Sequence, residues 1–428
     1  MLAPHLEPAR RGTWQLSTSA ADRSFRRWLF LIVLAGVLAR GLMILKGGIG
    51  PAVPPDDPDR YLPLARSVAA GEGFLIDGRP TAYRPPLYPL TLAPIVALMG
   101  DRVAIGVAAW HLLLGTATVL ATARAARGWG LGPARALAAA AVVAFDPVLL
   151  AQARPVMTET LAAFLTAATL AALTRPGATG LILGGFFFGL SALCRPSAWP
   201  ALGLTLAAIL FVGEGSIGSR ARRAALLLLL AIVTASPWAF RNVVVFGEPV
   251  WTTTHGGYTL YLANNPVYFA EVLDGPPEAI WTGHNQWLWF DSVNREARGL
   301  SEPDADRLMR RKAVEFIESH PRDFARASLA RLARFWGVAP SESVYPRRLR
   351  AAVAAWTLPL WACLLAGLFS PTSWRWPRVA APAIVLGLTA VHAVYWTDMR
   401  MRATVVPAAA LVAAAARSPG KAEGPGLT

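Results

Sequence analysis

Residues 28–46 read WLFLIVLAGVLARGLMILK, an apolar run interrupted by one internal charge, Arg40. An α-helix rises 1.5 Å per residue, so about 20 such residues cross the roughly 30 Å of hydrocarbon in a bilayer. Working outward, comparable runs lie near 103–123, 134–152, 156–173, 179–194, 198–213, 224–240, 351–369, 379–396 and 403–416, ten with the first. The composition agrees, since 54% of the 428 residues are hydrophobic and only 16% are charged. The expected fold class is an all-α polytopic membrane protein, a bundle of about ten transmembrane helices.

A formal net charge of +15 would point to nucleic acid in a soluble chain. Here the arginines sort by membrane side instead, which argues against a nucleic-acid partner. The tail residues Arg10, Arg11, Arg23, Arg26 and Arg27 share one side with the short loops carrying Arg124, Arg127 and Arg135, then Arg220, Arg222 and Arg223, then Arg375 and Arg378. The positive-inside rule makes that side cytoplasmic and places both termini there. The expected organisation is a cytoplasmic tail over 1–27 and a bundle over 28–240 interrupted by an outer loop at 47–102. An outer segment at 241–350, a closing bundle over 351–417 and a disordered tail at 418–428 follow. The first run lacks a small-residue cleavage site and reads as a retained anchor. Cys194 and Cys363 fall in or beside apolar runs and read as packing residues, leaving no cysteine framework for a disulfide or a metal.

The outer loop is too patterned for a spacer. Tyr61, Leu64, Ala65 and Val68 repeat at helical spacing before Gly71 and Gly73, which predicts a helix lying along the membrane surface. A second helix, from Pro85 or Pro86 through Leu98, is too short to span comfortably and is expected at the interface. In the outer segment, the β-branched and aromatic runs after Arg241 suggest short strands or an ordered loop. Ser301 opens a capping-box pattern. After Pro321 a helix is expected with Phe324, Leu329, Leu332, Phe335 and Trp336 on one face. Arg322, Arg326, Arg331 and Arg334 fall elsewhere, against lipid phosphate or in water.

Candidate chemistry concentrates at the outer mouth of the bundle. Asp56, Asp57 and Asp59 stand beside Arg60 and Tyr61. Asp57 before Pro58 also suits a helix cap with proline at the first helical position. Arg84, held extended by the prolines that follow, precedes a helix N-terminus that favours an anion. Arg40 and Glu159 lie at membrane depth, where ionisable groups are costly, as functional groups or as each other's partner. Arg195, Arg241, Arg400 and Arg402 stand at other outer span ends, where snorkelling is common. His255, Asn264 and Asn265 suit sugar hydroxyls, and turn chemistry accounts for the asparagines equally well. No glycine-rich nucleotide-phosphate loop is present.

Taken together these motifs resemble the GT-C membrane glycosyltransferases, in the branch of the protein O-mannosyltransferases and lipid A aminoarabinose transferases. The resemblance rests on Asp57, Tyr61 and Arg84-Pro85-Pro86, on MTETLAAFL with Glu159, and on CRP at 194–196. PWAFRN at 237–242 and DMRMRATVVP at 398–407 extend it. Two positions depart from the pattern: Pro58 stands where a second acid usually follows, and Arg84 where lysine is common. The first departure leaves Asp56, Asp57 and Asp59 open as the functional acid, with Asp57 favoured by its distance from Tyr61.

The resemblance implies a GT-C-type bundle moving a sugar from a polyprenyl-phosphate donor to an acceptor glycan, lipid or protein, on the outer face of a plasma (inner) membrane. A carboxylate takes the acceptor proton and arginine stabilises the leaving phosphate. Asp57 fits the first role. Arg84, with Arg60, Tyr61, Glu159, Arg40 and Asp59, forms the expected substrate-binding group. The expected course is single displacement with inversion. The sequence requires no cofactor and leaves a divalent metal open. The competing readings are a transporter or flippase of lipid-linked sugars and a structural membrane protein.

Overall fold

The computed structural model describes residues 20–48, 55–275, 281 and 284–416. The expected polar ends, including Arg10, Arg11 and the disordered tail, lie outside the described residues.

The chain enters through α1 (Ala20–Lys46), which takes in residues 20–27 of the expected tail. The first loop holds α2 (Tyr61–Ala69), a two-residue antiparallel ladder of β1 (Leu75–Ile76) with β2 (Arg79–Pro80), and α3 (Leu87–Met99). The bundle continues through α4 (Val103–Gly128), α5 (Pro133–Phe145), the single turn α6 (Pro147–Ala151) and α7 (Glu159–Leu173). It then passes through α8 (Gly177–Cys194), α9 (Ala198–Val212) and α10 (Ile217–Phe246). The second large segment is helical: α11 (Gly256–Ala263), α12 (Pro266–Tyr268) running into a π-helix (Phe269–Leu273), α13 (His284–Glu296), α14 (Glu302–Ser319) and α15 (Pro321–Phe335). The chain closes through α16 (Arg347–Leu368), α17 (Ala380–Val394), a 3-10 turn (Met399–Thr404) and α18 (Val406–Ala415).

All ten expected spans coincide with apolar helices, and the protein is a multi-pass membrane protein. Of these, α5, α7, α9, α17 and α18 have only 10–15 residues. At 1.5 Å per residue they cover roughly 15–22 Å, short of the hydrocarbon thickness. Three of them are well enclosed, α17, α18 and above all α7, which is buried at every position except Phe164, whereas α9 exposes Leu204 and Phe211. α1, α10 and α16 instead turn Leu42, Phe240 and Leu365 outward. Irregular backbone at membrane depth is tolerated only inside protein or beside a cavity. Connections 146–158, 195–197 and 395–405 lie at the ends of the short helices and carry Asp146, Arg195, Asp398, Arg400 and Arg402.

Without a hydrophobic drive between helices in lipid, close packing comes from small residues. On α8 a Cβ at Gly185 would lie 2.5 Å from the Leu227 carbonyl oxygen of α10, and one at Gly189 would lie 2.7 Å from that of Ala231.

Several expectations for the two long segments between spans are corrected. The apolar face of α2 (Tyr61, Leu64, Ala65) is buried against protein, chiefly α3, so it does not lie on lipid. The segment after Arg241 contains no strand among the described residues: α10 runs on to Phe246 and the β-branched run is its last turn. On α15 the buried stripe is Ala327, Arg331 and Phe335, while Leu329 is 69% exposed. Arg331 turns inward because its guanidinium serves helix ends, donating to the carbonyls of Ala393 and Ala263 at 2.8 Å each. Cys194 is buried as expected, whereas Cys363 is exposed on α16 and packs no core.

Candidate active site

The first loop builds one wall. Residues 58 and 59 form a turn, Arg60 takes a left-handed conformation (φ 58°), and α2 starts at Tyr61, three residues later than a cap followed by Pro58 would require. Asp57 still caps the helix: its Oδ1 accepts from the Tyr61 amide and its Oδ2 from the Leu62 amide, each at 2.8 Å. Partial burial raises the Asp57 pKa above the usual aspartate range, overcoming those two hydrogen bonds, which favour the ionised form. Asp59 pairs with Arg84, which donates from Nη2 to Oδ1 at 3.0 Å and from Nε to the Asp59 carbonyl at 3.1 Å. The guanidinium also stands over the rings of Tyr83 and Tyr61, 5.3 and 5.8 Å from their centroids. Tyr61 is buried edge-on against Tyr88, whose hydroxyl is 2.8 Å from His111 Nε2.

The opposite wall comes from the irregular ends of the short helices. Glu159, at the start of α7, is fully buried. Arg195 Nη1 lies 3.1 Å from Glu159 Oε1 while donating to Thr158 Oγ1 at 2.9 Å, and Arg400 Nε lies 4.0 Å from the same carboxylate. Asp398 holds Arg400 through its amide (2.9 Å) and its Nε (3.1 Å). The two walls share one field, because Arg400 senses Asp59 as well as Glu159, and Tyr61 senses Arg84, Arg195 and Glu159. A narrow crevice lined by Thr166, Phe188, Ser191 and Leu388 runs from Arg195 between α7, α8 and α17.

The second large segment is fastened onto the first loop at the residues just before Arg84. Glu302 Oε2, at the first position of α14, accepts from the Ala82 amide at 2.9 Å and from the Thr254 hydroxyl at 3.0 Å. The Thr254 amide donates to the Ala82 carbonyl at 2.9 Å. The PWAFRN motif makes a further staple: Arg241 donates to the carbonyls of Thr81 and Phe74, Trp238 to that of Thr252 and Asn242 to that of Val250. His255 therefore lies against Tyr83, with ring centroids 4.2 Å apart, and burial beside Arg84 holds its pKa far below the usual histidine value.

The structure thus brings together Asp57, Asp59, Tyr61, Arg84, Glu159, Arg195, Arg400 and His255. Arg60 is not among them. It turns outward to an exposed pair with Asp77 at 2.9 Å, because its left-handed backbone swings the side chain toward the β1–β2 turn. Arg40 does not meet Glu159 either: it donates to the carbonyls of Val143 (2.8 Å) and Ala144 (3.1 Å), closing the C-terminal end of α5. Arg402 donates instead to the Gly337 carbonyl. Asn264 and Asn265 are buried in turn and helix-end hydrogen bonds, as turn chemistry suggested. Glu302 was visible only as part of a capping box, and nothing local signals its partners 48 and 220 residues away. Among the described residues no three His, Cys, Asp or Glu side chains converge as a cation site. The acids of this site face arginines or backbone amides.

The chain shares its fold with solved membrane-protein structures at low sequence identity. Archaeal oligosaccharyltransferase AglB from Archaeoglobus fulgidus, solved with an inhibitory peptide and a dolichol-phosphate, superposes with a TM-score of 0.57 at 15% identity over 93% of this chain. The Archaeoglobus fulgidus oligosaccharyltransferase in complex with Zn and sulfate gives 0.54 at 15% identity over 91% of this chain. The chain spans about half the length of these structures, 50% and 48% respectively. ArnT from Cupriavidus metallidurans bound to undecaprenyl phosphate aligns over 90% of this chain and 77% of its own at 16% identity, with a TM-score of only 0.44. No protein-family model and no curated protein matches the sequence.

Proposed function

We propose that the chain is a glycosyltransferase that moves a sugar from a polyprenyl-phosphate carrier to an acceptor hydroxyl, on the outer face of the plasma membrane. One observation carries the reading. Asp57 and Asp59 on the first loop lie at the same end of the bundle as three arginines, Arg84 on that loop and Arg195 and Arg400 at the ends of the short helices. A lipid phosphate rides at the membrane surface with its chain in the bilayer.

Asp57 is assigned as general base, its carboxylate oriented by the two amide donors and made more basic by burial. The acceptor oxygen attacks the anomeric carbon as its proton passes to Asp57, and the bond from that carbon to the phosphate oxygen breaks. The electron pair leaves with the polyprenyl phosphate, where Arg84, Arg195 and Arg400 meet the growing charge. Attack opposite the leaving group inverts the anomeric centre. Glu159, Asp398 and Asp59 hold the arginines in place. The outer orientation rests on the basic short loops at the opposite end.

Purified protein incubated with undecaprenyl-phosphate arabinose or undecaprenyl-phosphate mannose and an extract of envelope acceptors should release undecaprenyl phosphate. Transfer of the intact donor across vesicles without release would make the protein a flippase. A thiol at Arg79→Cys or Arg298→Cys, in a background lacking Cys194 and Cys363, should react with an impermeant reagent in intact cells. Protection at both would reverse the orientation.

A further inference from the structure

Three rings stand at the open side of Arg84 and take no part in the chemistry assigned above. Tyr83 and His255 approach with centroids 4.2 Å apart, His255 and Tyr258 stack at 5.0 Å with planes 17° apart, and Tyr83 and Tyr258 lie 6.2 Å apart. Phe290 meets Tyr258 edge-on at 5.9 Å and Trp289 supports it at 6.0 Å. Tyr83, His255 and Tyr258 are all partly exposed. Among the described residues no hydrogen bond engages either phenol hydroxyl or the imidazole nitrogens. The shelf is rigidly mounted, because Glu302 and the Thr254–Ala82 hydrogen bond fix the two stretches of chain that carry it. A core cluster would be closed over and its polar tips satisfied; this one is neither.

Position narrows its use. A phosphate held by Arg84 carries its sugar one bridging oxygen away, so the ring must fall within a few ångströms of the guanidinium. The Tyr61 side is closed, with Tyr61 at 4% exposure packed on Tyr88. The remaining side is the shelf, and Arg84 already stands 5.3 Å over the Tyr83 ring. A pyranose has an apolar C–H face that suits the negative face of an aromatic ring, and hydroxyls that suit unpartnered phenol tips.

We propose that Tyr83, His255 and Tyr258 form the surface on which the transferred sugar lies, selecting a ring with one unobstructed C–H face. The proposal rests on the lipid-phosphate-sugar reading and names the part of that site which recognises the sugar. It makes the second outer segment, through His255 and Tyr258, a contributor to donor selection.

The test compares binding of bare undecaprenyl phosphate with undecaprenyl-phosphate mannose and undecaprenyl-phosphate arabinose, by calorimetry on purified protein. The unaltered protein should bind at least one glycoside about five- to tenfold more tightly than the bare lipid phosphate, the range expected for ring stacking. Tyr258→Leu should remove most of that difference while leaving the bare lipid phosphate unchanged, Tyr83→Leu, whose ring also supports Arg84, should weaken the glycoside more than the bare lipid, and Tyr258→Phe should retain the difference. Thermal unfolding of each variant identifies any that has lost its fold, and the two variants lie on different elements. No preference for either glycoside, or equal weakening of bare and glycosylated lipid by both variants, overturns the proposal. Failure to bind undecaprenyl phosphate at all would instead sink the function from which it starts.

Discussion

Two groups of ionisable residues sit at the same end of the bundle, on either side of the 3-10 turn that carries Arg400 and Arg402. In the first, Arg84, Asp59, Arg195 and Arg400 keep 16–28% of their side-chain surface open, and Glu159 is drawn toward two arginines. In the second, Arg40, Asp146 and Arg402 are 1–3% exposed. Asp146 caps α6 through the amides of Val148 and Leu149 at 3.0 Å each, and Arg40 is spent on the end of α5. Charge at membrane depth is therefore not enough to mark a site. What separates the groups is access, since only the first can exchange its partners for a ligand.

The largest expected effect breaks the closed group. Asp146→Ala leaves Arg40 and Arg402 buried without their nearby acid and strips the α6 cap, so stability should fall by about 3–5 kcal/mol. Thermal unfolding in detergent measures it. Turnover per folded molecule should stay within about twofold, as expected for sites that share no partner. A fully stable but inactive Asp146→Ala protein would move the functional site to that group.

Next comes Arg84 in the open group. Arg84→Ala should weaken donor affinity by roughly tenfold to a hundredfold, the worth of one charged hydrogen bond of about 1.5–3 kcal/mol. Arg84→Lys should keep part of it. Unchanged donor affinity in the alanine variant would end the phosphate assignment.

The smallest effect concerns pH. His255 has a folded pKa far below its ordinary 6.5, so the unfolded chain takes up the proton first. Its contribution is full above about pH 6.5 and is lost as pH falls below that toward the folded value, by at most about 1.4 kcal/mol per unit. His255→Phe should flatten the unfolding curve over that window by up to one proton. An unchanged slope would mean that the imidazole is charged in the folded protein.

The same contrast explains what the sequence made legible. Lipid demands an apolar composition, so all ten helices could be read from runs of residues alone, although five of them fall short of a full crossing length. Asp57, Tyr61 and Arg84 could be read because they lie within one loop. Arg331 and Leu329 could not: helical spacing put leucine inside and arginine outside, and the carbonyls of Ala263 and Ala393 reversed the order. Glu302 looked like a cap because its real partners are distant in sequence. Arg40 and Glu159 were grouped by depth, and packing placed them on different sides of the bundle.

The central claim is that Asp57, on the same loop as Asp59 and Arg84 of the open group, is the catalytic acid–base residue, and substitution by asparagine addresses it most directly. Both carboxylate oxygens accept a backbone amide, so the side-chain nitrogen introduced by Asp57→Asn would face one of those N–H groups. A stability loss of about 1 kcal/mol is therefore expected and must be measured alongside activity. Turnover of a defined undecaprenyl-phosphate sugar by folded Asp57→Asn should drop at least about a hundredfold with donor binding retained, because the proton acceptor is gone. Asp59→Asn, which keeps an oxygen for Arg84, should lose less than about tenfold in the same assay. Near-normal turnover by Asp57→Asn would contradict the account and leave that residue as the cap of α2 alone.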